Sequence, residues 1–111
     1  MSDSKWVKLL KLAARHAEAV PTMRYKLVNG PKIIDSFTEP FAEQVDEQWF
    51  REPIFYKEIE WIEFPARYLA GTKNEWIVQD LAGLEAELAA GAKFPIQRSD
   101  DGIRIIAYVR A

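Results

Sequence analysis

The 111-residue chain contains no cysteine, which excludes disulfides, thiolate metal sites and cysteine nucleophiles. Its single histidine, His16, excludes histidine-pair chemistry and any zinc site built on two imidazoles. The five glycines are isolated and form no phosphate-cradling loop. None of Ser2, Ser4, Ser36 and Ser99 stands in a Gly-x-Ser-x-Gly elbow that would present a nucleophile. No apolar run is long enough for a membrane-crossing helix. The N-terminus, Met1-Ser2-Asp3-Ser4-Lys5-Trp6, leads straight to Lys8 and Lys11 without a signal-like apolar block. These absences predict a cytoplasmic protein with no cofactor, no metal site and no recognisable catalytic residues.

What is present reads as globular. Hydrophobic residues make up 49% and charged residues 29% of the chain, the proportions of a folded domain rather than a disordered segment. No linker, repeat or low-complexity stretch divides it, so a single domain over 1–111 is expected. Charge is unevenly placed. Residues 1–34 carry seven Lys/Arg against two acids, a balance of +5, whereas residues 35–63 carry nine acids against two bases, a balance of −7. Either the two blocks meet in the fold and neutralise one another, or the acidic block forms a surface that selects a basic partner.

Local patterns give an element order. Trp6, Leu9, Leu10, Ala13, Ala17 and Val20 recur at helical spacing, which predicts an amphipathic helix over 4–20. Ser2, Asp3 or Ser4 can cap its start and Pro21 stops it. Met23 to Val28 alternates as a half-buried strand, and Asn29-Gly30 turns into a return strand around 32–37. Residues 38–57, with Pro40 and Pro53, read mainly as loop, with room for a short helix from Phe41 to Trp49. Lys57 to Phe64 reads as a central strand, and Arg67-Tyr68-Leu69 as an extended connection to Gly71. A second helix follows, with Asp80 as N-cap, Leu81, Leu84 and Leu88 as its apolar stripe and Gly91 as a left-handed C-terminal residue. Phe94 to Arg98 turns through Ser99-Asp100-Asp101-Gly102 into Ile103–Arg110, a closing hairpin with Ile103, Ile105, Ala107 and Val109 on one face. The order α-β-β-β-α-β-β, without parallel crossovers, predicts an α+β fold: a mostly antiparallel sheet of about five strands with two helices on one face.

Three blocks carry a family resemblance. Glu60-Trp61-Ile62-Glu63-Phe64-Pro65-Ala66-Arg67-Tyr68 is similar to the centre of a family of small bacterial proteins, a domain of unknown function. In that family an Ile-Glu-Trp-Ile run leads into a Pro-Arg-Tyr-like sequence, then a helix and a closing hairpin. Phe94-Pro95-Ile96 through Asp101-Gly102-Ile103-Arg104 to Ala107-Tyr108-Val109 matches that hairpin. Lys5-Trp6 and Met23-Arg24-Tyr25-Lys26-Leu27 match its first helix and strand. The resemblance implies this fold and a bacterial source, and implies nothing about catalysis.

Three chemistries stay open. Trp49, Phe50, Arg51 and Tyr56 lie in the acidic segment and are residue types enriched at interface hot spots. With Glu58 and Glu60 they make the candidate partner-binding set, and the leading reading is a non-enzymatic interaction domain that recognises a basic protein surface. By analogy of size and charge alone, this resembles proteins that neutralise toxic enzymes. Alternatively Glu58 and Glu60, two apart on one strand face with Ile62 and Phe64, serve as a carboxylate-dependent enzyme centre or hold a hard cation. Third, Lys8, Lys11, Arg15, Arg24, Lys26 and Lys32 could bind nucleic acid, against which a pI near 5.4 argues. Oligomeric state, monomer or dimer, is open.

Overall fold

The computed structural model describes residues 1–30, 32–38, 45, 49–51, 54–70, 75–91 and 94–107, with Arg51 and Ala70 described by their backbone alone. The short helix considered for Phe41 to Trp49 falls mainly outside these residues, as do Tyr108 to Arg110 of the last strand.

Helix α1 spans Asp3–Arg15 and buries Trp6, Leu9, Leu10 and Ala13 on its apolar side. The Ser2 side-chain oxygen accepts the Lys5 N–H at 3.3 Å, satisfying one donor that a helix start leaves unpaired. The helix is shorter than the predicted 4–20, because the ring of Pro21 disfavours helical geometry at Val20 and the chain unwinds through turns over 16–19. Strands β1 (Thr22–Leu27), β2 (Ile33–Phe37), β3 (Trp49–Arg51) and β4 (Ile54–Phe55) follow, then a 3₁₀ turn at Tyr56–Glu58. Next come β5 (Ile59–Pro65), β6 (Arg67–Ala70), β7 (Glu75–Val78), helix α2 (Ala82–Ala90), β8 (Ile96–Ser99) and β9 (Gly102–Ile106).

The main sheet has the order β2-β1-β5-β9-β8, with every pairing antiparallel. Its strands and the two helices give α-β-β-β-α-β-β in chain order, an α+β fold. The pairs β3–β4 and β6–β7 are separate two-stranded additions. Both helices pack on one face of the sheet. Trp6, Leu9 and Leu10 of α1 and Leu84 and Leu88 of α2 meet Met23, Tyr25, Ile62, Phe64, Ile103 and Ile105 in a single apolar cluster. Each fully buried side chain of this size contributes about 1.5–3 kcal/mol.

Four sequence expectations change. Residues 38–57 are not mainly loop where described, since β3, β4 and the 3₁₀ turn lie there. Arg67-Tyr68-Leu69 is a strand rather than a connection, paired in register with β7 from Arg67 opposite Val78 to Ala70 opposite Glu75. Asp80 stands one residue before the N-cap position, Leu81, and its Oδ1 accepts the Ala82 N–H at 3.2 Å. Gly91 ends α2 with φ −92°, outside the left-handed region. The glycine that the fold does require is Gly102, with φ +141°. A Cβ there would stand 2.2 Å from the Phe64 carbonyl oxygen on the neighbouring strand, so only a bare Cα lets β9 reach β5 at this end.

Candidate functional site

Strand β5 sits at the centre of the sheet, and its residues are buried throughout. Strict alternation would place Glu60 on the face of Ile62 and Phe64. Instead the register against β1 shifts, with Lys26 opposite Trp61 but Leu27 opposite Ile59. Glu60 is the extra residue of this bulge. Ile59 and Ile62 both reach the core as a result, while the Glu60 carboxylate pairs with Lys26 Nζ at 2.6 Å. Glu63, 1% exposed, receives two guanidinium groups: Arg24 of β1 and Arg104 of β9, the latter at 3.0 Å. Arg104 also lies over the Trp61 ring, 4.0 Å from its centroid. The basic and acidic blocks of the sequence therefore meet as neighbouring strands on the helix-free face. There β1 supplies Arg24 and Lys26, and β5 supplies Glu60 and Glu63.

This arrangement separates the residues that the sequence grouped. Phe50 and Tyr56 belong to the apolar core, where the Phe50 ring meets Tyr25 edge-on at 4.8 Å. Trp49 is half-buried and stacks on Phe55 at 4.2 Å. The Arg51 side chain lies outside the described residues. Glu58 precedes the strand, and its carboxylate accepts the Phe55 N–H at 2.7 Å. Its partner is thus a local turn, whereas Glu60 pairs with Lys26. Of the remaining acids in the segment, Glu39, Glu43, Asp46, Glu47 and Glu52 lie outside the described residues. The six cations considered for nucleic acid are divided too. Arg24 and Lys26 are engaged by Glu63 and Glu60 on the helix-free face, while Lys8, Lys11 and Arg15 are exposed on the helix that covers the other face.

A different constellation stands out. A cleft of about 450 Å³ opens between the β1–β2 end of the sheet and the β6–β7 arm. Thr22, Arg24, Asp35 and Phe37 line one side, and Arg67, Tyr68, Leu69 and Trp76 the other. The two elements carry seven large apolar side chains exposed to solvent, Ile33, Ile34 and Phe37 on β2 and Leu69, Trp76, Ile77 and Val78 on the arm, of which Phe37, Leu69 and Trp76 line the cleft. Phe37 is 64%, Trp76 61% and Val78 78% exposed. The seven divide between faces: Ile33 and Phe37 share a side of β2 with Asp35 while Ile34 is on the other, and Leu69, Trp76 and Val78 share one side of the arm while Ile77 is on the other. The Arg67 guanidinium lies 5.0 Å from the Trp76 ring centroid, a cation–π contact that pre-orders the rim.

The arm is held at its base by one buried amide. Gln79 accepts from the Thr22 N–H at 2.8 Å and from the Thr22 hydroxyl at 3.0 Å. It donates to the Pro65 carbonyl at 2.7 Å and the Thr22 carbonyl at 3.3 Å. The backbone adds Gln79 N–H to Ala66 O and Ala66 N–H to Asp101 O, both 2.8 Å. The arm thus has a hydrogen-bonded polar root and exposed apolar side chains along its strands. Its signal is visible in the sequence: two β-prone runs, 67–70 and 75–78, separated by Gly71-Thr72-Lys73-Asn74. Reading the first run as a connection hid the second.

His16 packs at the α1–α2 junction. Its Nε2 lies 3.0 Å from Glu87 Oε1, and Arg15 reaches Glu87 Oε2 at 2.7 Å. The Arg15 hydrogen bond first, and then the neighbouring imidazole, hold the Glu87 carboxyl below its ordinary 4.5. An added Cβ at Gly83 would meet the imidazole at 3.3 Å, so glycine lets α2 close against it. The arrangement is a helix-to-helix clamp. Among the described residues no group of three or more His, Asp and Glu is placed to hold a metal ion, and no helix is long and apolar enough to cross a membrane.

Comparison with known proteins locates the chain without assigning it an activity. No curated protein and no solved structure matches it. A family model described as a family of unknown function (DUF6678) matches residues 1–111, the whole length that the sequence blocks 5–27, 60–68 and 94–109 sample, and the chain belongs to that family.

Proposed function

We propose that the chain is a non-enzymatic interaction domain, working in a bacterial cytoplasm, whose recognition surface is the β6–β7 arm with the cleft beside β2. One observation supports this reading: Phe37, Leu69 and Trp76, all exposed, line one cleft between β2 and the arm, and Val78 shares the arm face of Trp76. Such a surface costs solubility unless a partner covers it. The partner's chemistry changes with the surface. Glu60 and Glu63 are spent on Lys26, Arg24 and Arg104, so the support for a basic partner weakens. Arg24, Asp35 and Arg67 all line the cleft, which suits a surface with apolar anchors and charges of both signs.

The test is site-specific photo-crosslinking in the source cells. A photoreactive side chain at Trp76 should give adducts with another polypeptide, and one at Lys11, on the exposed side of α1, should give few. Equal yields at the two positions, or none at Trp76, would sink the reading.

A further inference from the structure

Resting on that reading, we infer that the partner of the arm is a second copy of this chain, joined through antiparallel pairing of β7 with β7. An isolated two-stranded hairpin is marginally stable in water, and three or more strands with an apolar face are needed for independent stability. The β6–β7 arm is two-stranded and exposes Leu69, Trp76, Ile77 and Val78. Pairing with a second arm turns two strands into four.

The choice of strand follows from how the exposed edges are guarded. Natural edge strands carry charges or prolines that discourage further pairing. At one edge of the main sheet β2 carries Asp35 in its middle, and at the other β8 carries Arg98. Strand β7 reads Glu-Trp-Ile-Val, with its single charge at the first position and three exposed apolar residues after it. It contains no proline and no central charge.

Symmetry then limits the register. A two-fold axis normal to the sheet keeps each side chain on its own face, so the axis must pass midway between a residue and the same residue of the other copy. Centred on Ile77, the pairing sets Trp76 of each copy opposite Val78 of the other. Glu75 then falls opposite Gln79, so no like charges face each other. At a net charge of −2, long-range repulsion between copies is small.

The experiment is sedimentation equilibrium on the purified chain at about 100 µM, with Trp76→Glu and Val78→Glu beside the wild type. The wild type should have twice its 12.8 kDa mass. Because an isologous interface presents each residue twice, either substitution should raise the dissociation constant by roughly 100-fold or more. Circular dichroism should show the same secondary structure in all three. A monomeric wild type, or a dimer that persists in both variants, overturns the inference. The cell crosslinks separate this failure from that of the wider reading. A monomer that still gives Trp76 adducts with a different polypeptide removes only the second copy as occupant, whereas a monomer that gives none removes both.

Discussion

Trp6 and Trp76 carry the same side chain in opposite settings. Trp6 is 1% exposed beneath α1, among Leu9, Leu10 and the central strands. Trp76 is 61% exposed on the arm, with the Arg67 guanidinium over its ring. The body around Trp6 closes on itself even where it is polar: on the helix-free face Glu63 and Glu60 are matched by Arg24, Arg104 and Lys26. The arm satisfies its polar root through Gln79 and leaves Leu69, Trp76, Ile77 and Val78 in water. One region uses side chains to complete the fold; the other is ordered by the fold and offers its side chains outward. Burial of large apolar surface is the main favourable term in folding, so a region that forgoes it is the place to look for association.

The largest effect should separate the two tryptophans. Trp6→Ala should cost about 3–5 kcal/mol through lost transfer energy and a residual cavity. Trp76→Ala, measured at a concentration where the chain is monomeric, should change unfolding by about 0.5 kcal/mol or less. Urea denaturation of the two variants checks both, and similar losses would erase the distinction between body and arm.

Next in size is the buried carboxylate of the helix-free face. Glu63→Ala removes the anion shared by Arg24 and Arg104 and should cost about 3 kcal/mol, the low end for breaking a buried pair, because both arginines are about a third exposed. A loss below about 1 kcal/mol in urea would mean that the two guanidinium groups find water at little cost.

Gln79→Ala addresses the junction between the regions. Losing its hydrogen bonds to Thr22 and Pro65 should cost about 2 kcal/mol. Amide exchange over 66–79 should speed up more than exchange over β5 and β9. Uniform acceleration across the chain would show that the arm unfolds only with the body.

The smallest expected effect lies in the clamp between the helices. The Glu87 carboxyl is held below its ordinary 4.5 by Arg15 and then His16. Its contribution is therefore present above that value and is lost as pH falls through the lowered one. The stability difference between wild type and Glu87→Gln should shrink between about pH 5 and pH 3. A difference that stays constant over this range would show that Glu87 acts through packing rather than charge.

Much of the body was legible in the sequence. The α1 stripe, the alternation of Met23 and Tyr25 with Arg24 and Lys26, and the burial of Ile103 and Ile105 all follow from period and polarity. Even the opposed charge blocks foreshadow the pairing of β1 with β5. The candidate site was not legible in the same way. Phe50 and Tyr56 have the composition of an interface hot spot and the location of a core, because aromatic rings serve both settings. Glu60 shared a predicted face with Glu58 until the bulge broke the alternation.

By itself, then, the sequence determined the order of the two helices and the main-sheet strands and the residues that face the helices, since these depend on residue type and short-range periodicity. Tertiary structure alone decided which charges are consumed and which apolar side chains stay exposed. Glu63 lies between two arginines 39 and 41 positions away in the chain. Trp76 is left open because its arm is rooted through Gln79 to β1, 57 positions earlier, and projects from the sheet. Exposure depends on what the rest of the chain brings alongside, and no local pattern records it.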